Sequence, residues 1–299
     1  MKISGMALTV ALLSVVAAGC GQENDDDTAA ETPPASSSGS SSAPGADGSP
    51  TEEPPPLTGT EVHWGYEGDI GPDRWGELSA DYAECAQGVE QSPIDLHAGR
   101  PTASEPGQEI ELDYGEIDDH LVNNGHAIQL VNDEVDSPDD DDLDDHLELD
   151  GVDYELLQFH FHAPSEHTVD GVASPVEFHF VHADADGNLA VLGVLVREGG
   201  SDNPAWAPFV TAASTPSSMD VPSTLDLAGL LPTSAGALEH WAYDGSLTTP
   251  PCSEQVTWLV LDHPVELSQA QVEALESVYV DNNRPVQPLG DRTVALVSN

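Results

Sequence analysis

The chain has 299 residues, with six basic against 55 acidic side chains and a formal net charge of −49. A surface this negative excludes nucleic acid and anionic membrane as partners. Its one lysine, Lys2, and its wealth of acid suit an organism living in strong salt.

The opening "MKISGMALTVALLSVVAAGC" carries Lys2, then an apolar run too short and too early for a membrane span, then small residues before Cys20, which reads as an export signal. The segment "VAAGC" resembles a lipoprotein signal, so residues 1–19 are expected to be removed and Cys20 lipid-modified. An ordinary cleaved signal with Cys20 incidental is the alternative. The protein is therefore expected to be exported, periplasmic or at the cell surface, and joined to a membrane only through that lipid. Residues 20–56 are Ser, Pro, Gly, Ala and acid with almost no large apolar side chain. Such a stretch cannot bury a core and is expected to be a disordered tether.

Residues 57–299 read as one folded domain. Short apolar runs alternate with Gly, Pro, Asn and Asp clusters, as in "AIQLVN", "ELLQFHF", "VEFHFVHA", "LAVLGVLV" and "QVTWLVLD". This texture predicts a mainly β domain, a large, mostly antiparallel twisted sheet with a few short surface helices. The run "DSPDDDDLDD" at 136–145 does not match the spacing of an EF-hand loop and reads as a solvated acidic loop. One helix is readable in "LSQAQVEALESVYV". There Ser268 and Gln271 form a capping box, Leu267 and Val272 a hydrophobic staple, and Val272, Leu275, Val278 and Tyr279 an apolar face.

The stretch "QFHFHAPSEH" places His160 and His162 two apart, with Phe159 and Phe161 between and before them. On a strand, residues two apart share a face, so one face is apolar and the other carries imidazoles. "EFHFVH" repeats the alternation around His179, and Pro164, Gly171 and Pro175 between the two stretches are turn residues that let the chain return as a neighbouring strand. Three neutral imidazoles with a fourth position left to water are a catalytic zinc arrangement. Gln158 and Glu177 each stand two positions before a candidate ligand, on its face, where each is placed to accept the other ring N–H. In an exported protein Cys85 and Cys252 have an oxidising compartment and each other. A disulfide between them would close a loop of well over a hundred residues, for about 4 to 5 kcal/mol of stabilisation. Free thiols are the alternative.

With these features in place the chain resembles an α-class carbonic anhydrase. The matching pieces run in family order from "HWGYEGDIGPDRWGEL" through "QSPIDL", "NNGHAIQL", "QFHFHAPSEHTVDG", "VEFHFVHAD", "LAVLGVLV" and "GSLTTPPCSEQVTWLVL" to "NNRPVQPLGDR". The resemblance implies reversible hydration of carbon dioxide to bicarbonate and a proton, by zinc-bound hydroxide with a histidine proton shuttle. His160, His162 and His179 match the zinc ligands, and Gln158 and Glu177 the groups that orient them. Thr248 matches the hydroxyl beside the zinc-bound hydroxide, and Glu166 the carboxylate to which it donates. Val181, Val191, Leu247 and Trp258 match the apolar wall of the carbon dioxide pocket, with Thr249 adjacent. His126 matches the proton shuttle, and Tyr66, Asn124 and Gln129 the polar lining of the proton path. His167 and His182 match positions outside the coordination sphere and are read as structural.

"FHAP" lacks the tryptophan that follows the second ligand in animal enzymes, which resembles the bacterial branch. The rival from another class is a zinc-free binding module on the same fold, as in members that lost ligand histidines; a weak esterase activity would be a side reaction of the same site. A homodimer is left open by the sequence.

Overall fold

Period-two alternation becomes strands wherever one face meets the core, and the computed structural model describes residues 62–97, 109–131, 145–214, 221–232 and 238–298. The signal, the tether, Cys20 and residues 136–144 of the acidic run lie outside the described residues. In chain order the described strands are β1 (Asp95–Leu96), β2 (Ile110–Asp113), β3 (Glu116–Asn123), β4 (Ile128–Val131), β5 (His146–Leu149), β6 (Val152–His162), β7 (Thr168–Val169) and β8 (Val172–Ala173). They continue with β9 (Glu177–Ala183), β10 (Leu189–Gly199), β11 (Val221–Asp226), β12 (His240–Ser246), β13 (Glu254–Leu261), β14 (Val265–Ser268) and β15 (Ala295–Val297).

Twelve of these strands form one sheet, ordered β11-β3-β4-β6-β9-β10-β13-β12-β15, with β5 joining β2 to β6 and β14 pairing with β10. Among the described strands of this sheet, the expected antiparallel pairing is interrupted only where β10 pairs in parallel with β13 and with β14. The five apolar runs singled out in the sequence lie in β4, β6, β9, β10 and β13. β1, β7 and β8 make a small separate sheet.

The pairing of β6 with β9 sets the site. His160 lies opposite His179 and Phe159 opposite Phe180, so imidazoles gather on one face and phenylalanines on the other. The register shifts between Leu156 and Gln158, a bulge. Leu156 and Phe159 are three apart yet both fully buried, which strict alternation forbids and one extra residue permits. Past the bulge, the odd-numbered phenylalanines face the core and the even-numbered polar residues face the other way.

On the apolar face Phe159, Phe161, Phe178 and Phe180 are fully buried together with Trp206 and Phe209. Each such side chain contributes roughly 1.5–3 kcal/mol relative to exposure. Phe178 packs on Trp206 at 4.0 Å between ring centroids and Phe159 on Phe180 at 4.9 Å. Trp206 and Phe209 come with a helix over Ala207–Ala213 that the sequence reading did not anticipate; its Phe209, Val210, Ala212 and Ala213 are buried. The helix that was anticipated spans Gln269–Glu276, with both hydrogen bonds of the Ser268–Gln271 capping box present and Val272 and Leu275 buried. It stops before Val278 and Tyr279, which still pack against the core.

Cys85 and Cys252 form a disulfide across a sequence separation of 167, in a cluster with Trp75, Trp64, Tyr66, Leu78 and Tyr82.

Candidate active site

His160, His162 and His179 converge so that one ring nitrogen of each lies within 4.8 Å of the others. What holds each ring is an acceptor on its remaining nitrogen. His160 Nδ1 is 2.9 Å from Gln158 Oε1, and His162 Nδ1 is 2.6 Å from the main-chain oxygen of Asn282. His179 Nε2 lies 3.0 Å from Glu177 Oε1, although the two are not aligned for a straight hydrogen bond. These partners place the protons on Nδ1, Nδ1 and Nε2, which leaves lone pairs on His160 Nε2, His162 Nε2 and His179 Nδ1.

Two of those lone-pair nitrogens, on His160 and His162, are only 3.0 Å apart. Facing lone pairs repel unless a cation accepts both. A tetrahedral ion with bonds of about 2.0–2.1 Å sets its ligand nitrogens roughly 3.3 Å from one another, close to this spacing. The rings are also in the right protonation state. Burial lowers the His162 pKa to about 4 and lowers that of His179. His160 keeps partial exposure, yet burial of its ring and its two neighbouring imidazoles hold it well below the ordinary value. All three are therefore neutral near pH 7, as metal ligation requires, and the donor set fits a tetrahedral divalent ion.

Glu177 does more than orient one ring. Its Oε1 accepts from His167 Nδ1 at 2.7 Å, and its Oε2 accepts from the main-chain N–H groups of Glu166 and His167 at 2.9 and 2.8 Å. Burial works to raise its pKa, but the His167 and His179 rings outweigh burial and hold the carboxyl well below its usual range. His167 continues the chain, its Nε2 meeting Tyr243 Oη at 2.6 Å, which in turn meets Ser92 Oγ at 2.9 Å. His182 lies outside this group, with its Nε2 2.6 Å from Tyr114 Oη.

Glu166 is fully buried beside the triad, with Oε1 accepting from the Arg284 N–H at 2.7 Å and lying 3.6 Å from His162 Nδ1. Burial pushes its pKa up to about 7, against the opposing pull of His179, the Arg284 N–H and the Thr248 hydroxyl. A dication nearby would draw it down again. Thr248 is buried and stabilises this carboxylate, although Oε2 lacks a hydrogen bond of standard geometry. The loop that carries Thr248 is closed by Cys252 N–H to Thr249 O at 2.8 Å and Leu247 N–H to Ser253 O at 2.9 Å.

Val181, Val191 and Trp258 are buried in one apolar cluster, with Leu247 packed against it and Thr249 half-buried next in the chain. Trp258 stands edge-on to His179 at 4.8 Å and donates its indole N–H to Ser246 O at 2.9 Å.

His126 is half-buried and stacked on Trp64, with ring centroids 3.7 Å apart and planes 8° from parallel. Burial first, and His63 second, lower its pKa from the ordinary 6.5. Asn124 Oδ1 accepts from the N–H groups of His126 and Ala127, at 2.9 and 2.8 Å, and its Nδ2 donates to Gln129 Oε1 at 3.0 Å. Asn124 thus shapes the His126 loop. Gln129 sits opposite His160 across β4 and β6. Tyr66 packs edge-on against Trp64 and Trp75, and burial, followed by the Glu166 charge, raises its pKa.

Sequence reasoning missed Asn282. Its main-chain oxygen holds His162, its Oδ1 accepts from the Ala163 N–H at 2.9 Å, and its Nδ2 donates to His126 O at 3.2 Å, linking a triad residue to the His126 loop. Tyr243, Ser92 and the stacking of Trp64 on His126 were missed as well.

A profile of the eukaryotic-type carbonic anhydrase family matches residues 70–298. The carbonic anhydrase of Pectobacterium carotovorum is 42% identical over 238 residues, covering 78% of this chain and 90% of that protein. Among solved structures, the α-carbonic anhydrase of Thermovibrio ammonificans in complex with the inhibitor sulfanilamide has a TM-score of 0.68 at 41% identity, over 78% of this chain and 98% of that one. Dioscorin complexed with ascorbate reaches 0.69 at 28% identity, over 79% and 98%. A family match across nearly the whole folded part, on a site whose three imidazoles face one another with their remote nitrogens held, means that the chain belongs to the α, or eukaryotic-type, carbonic anhydrases.

Proposed function

We propose that this carbonic anhydrase is zinc-dependent, exports protons from its site through His126, and works outside the cytoplasm on a lipid anchor at Cys20. The observation that carries the zinc reading is the triad itself, three neutral rings with lone pairs turned inward and the other nitrogen of each placed against an acceptor.

Zinc held by His160, His162 and His179 would supply Lewis-acid activation of water near neutral pH, for which carbonic anhydrase is a standard example. The protein's own groups do the rest. Glu166, when ionised, accepts a hydrogen bond from the Thr248 hydroxyl, so Thr248 Oγ1 is left as an acceptor and orients the nucleophile's remaining proton. The wall of Val181, Val191, Leu247 and Trp258 offers no polar donor, apart from an indole N–H already spent on Ser246, which suits an uncharged gas. His126, half-exposed and with a pKa that burial and then His63 lower from the ordinary imidazole value, takes a proton from the site and releases it to buffer. Tyr66, Asn124 and Gln129 line the path between.

The external location rests on residues 1–20, and the salt-adapted habitat on the charge balance. The zinc reading is tested by His162→Ala, measuring bound metal together with oxygen exchange between carbon dioxide and water. Zinc and exchange should be lost together, because two imidazoles do not hold the ion in an open tetrahedral site. Full zinc occupancy in the variant would overturn the ligand assignment, and wild-type zinc without exchange would leave a binding protein.

A further inference from the structure

A second group of metal-ligating side chains lies away from the triad, at one end of the strand pair β12 and β13. Glu239 immediately precedes β12, and Asp262 and His263 immediately follow β13. The two strands are antiparallel with His240 opposite Leu261, so these residues emerge at the same end, and the Asp262 N–H donates to Glu239 O at 2.8 Å. A carboxylate oxygen of Glu239, one of Asp262 and a ring nitrogen of His263 all lie within 4.8 Å of one another. All three residues are half-buried.

We infer that Glu239, Asp262 and His263 form a second, non-catalytic site for a borderline divalent transition ion such as zinc. Two independent observations support the cluster. The first is a buried nitrogen with nothing to bind, since His263 Nδ1 is shielded from solvent and has no hydrogen-bond partner. A metal ion bound through that nitrogen would give it a partner. The second is uncompensated charge. Glu239 and Asp262 are brought together with no arginine within 4.0 Å of either among the described residues. Burial, and then the Glu239 charge, push the Asp262 carboxyl above its ordinary pKa. A dication would neutralise both carboxylates at once.

The donor types select the ion. One imidazole with two carboxylates, and water in the open positions, suits zinc and its first-row neighbours, whereas calcium and magnesium prefer all-oxygen sets. The Ser298 hydroxyl donates to Glu239 Oε1 at 2.8 Å and orients one ligand from outside, so the ion would also tie the C-terminal residues beyond β15 to the ends of β12 and β13.

The test is zinc per folded chain after equilibrium dialysis at micromolar free zinc, with excess magnesium present to occupy loose acidic sites. Wild type should hold one more equivalent than His263→Ala, and Glu239→Gln should lose the same equivalent, while both variants keep full carbon dioxide hydration as proof of folding. His162→Ala should retain this equivalent, which separates it from the catalytic one; a failure of the triad reading would leave the difference between wild type and His263→Ala intact. Equal zinc in wild type and His263→Ala, or displacement of the extra equivalent by magnesium, would overturn the proposal.

Discussion

Replacing Cys85 and Cys252 by serine should lower the stability of the folded domain by about 5 kcal/mol. The bridge spans a sequence separation of 167, and in the chain-entropy treatment releasing a loop of that size from the unfolded ensemble is worth about 5 kcal/mol at 25 °C. For a domain this large a urea m-value of about 3 kcal/mol/M turns that into a midpoint lower by about 1.7 M. Activity in dilute urea should survive, because the loop carrying Thr248 has other supports. Cys252 N–H bonds Thr249 O at 2.8 Å, Leu247 N–H bonds Ser253 O at 2.9 Å, and Gln91 Nε2 donates to Cys252 O at 3.0 Å. The assay is urea unfolding followed by tryptophan fluorescence, with carbon dioxide hydration measured on the same samples. A midpoint shift below about 0.3 M, equivalent to about 1 kcal/mol, would refute the loop-entropy reasoning. Loss of activity in a fully folded variant would show instead that the bridge itself positions Thr248.

His126→Ala should slow turnover in weak buffer and be rescued by small imidazole buffers, since only proton export is impaired; a loss that no buffer rescues would mean a structural role for the Trp64 stack. Acid should destabilise the fold through His182, whose pKa burial lowers to about 4. The unfolded chain binds a proton near pH 6.5 that the folded state refuses until about pH 4, so stability is lost as pH falls through that window, by about 2 kcal/mol at pH 5. His182→Gln should show a shallower pH dependence of its urea midpoint than wild type, and equal slopes would exclude His182 as the source. The thermal midpoint should rise from millimolar to molar sodium chloride, because the Debye length shrinks from about 30 Å at 0.01 M to about 3 Å at 1 M and screens the acids from one another; a flat or falling midpoint would remove the salt-adapted reading.

The convergence of the three imidazoles was legible because period-two spacing is a local signal. His160 and His162 share a face whatever the rest of the chain does, and Gln158 and Glu177 inherit their faces from the same rule. The disulfide was legible for a different reason, since the expectation of export left Cys85 and Cys252 few other fates. What escaped was carried by main chain or by contacts distant in sequence. The acceptor for His162 is a carbonyl, which every residue has, so nothing marks Asn282 until the fold brings it across 120 positions. The bulge at Leu156–Gln158 leaves no mark beyond a spacing that strict alternation cannot accommodate. The helix over Ala207–Ala213 is two turns long, and its Pro208 and small residues look like loop until Phe209 is seen against the phenylalanine layer.

The facing of His160 and His179 across β6 and β9 would make a zinc ion bound there a proofreader of strand alignment. A slip of one position would turn the imidazoles toward the phenylalanine layer; a slip of two keeps the faces but sets His160 against Glu177 or Val181. Neither misaligned chain presents three converging rings, so neither gains from the ion. Free zinc at a thousand times its dissociation constant would favour the aligned chain alone by about 4 kcal/mol. Zinc available during folding would then matter as much as zinc available during turnover, and refolding yield should rise with zinc supplied before the sheet closes rather than after.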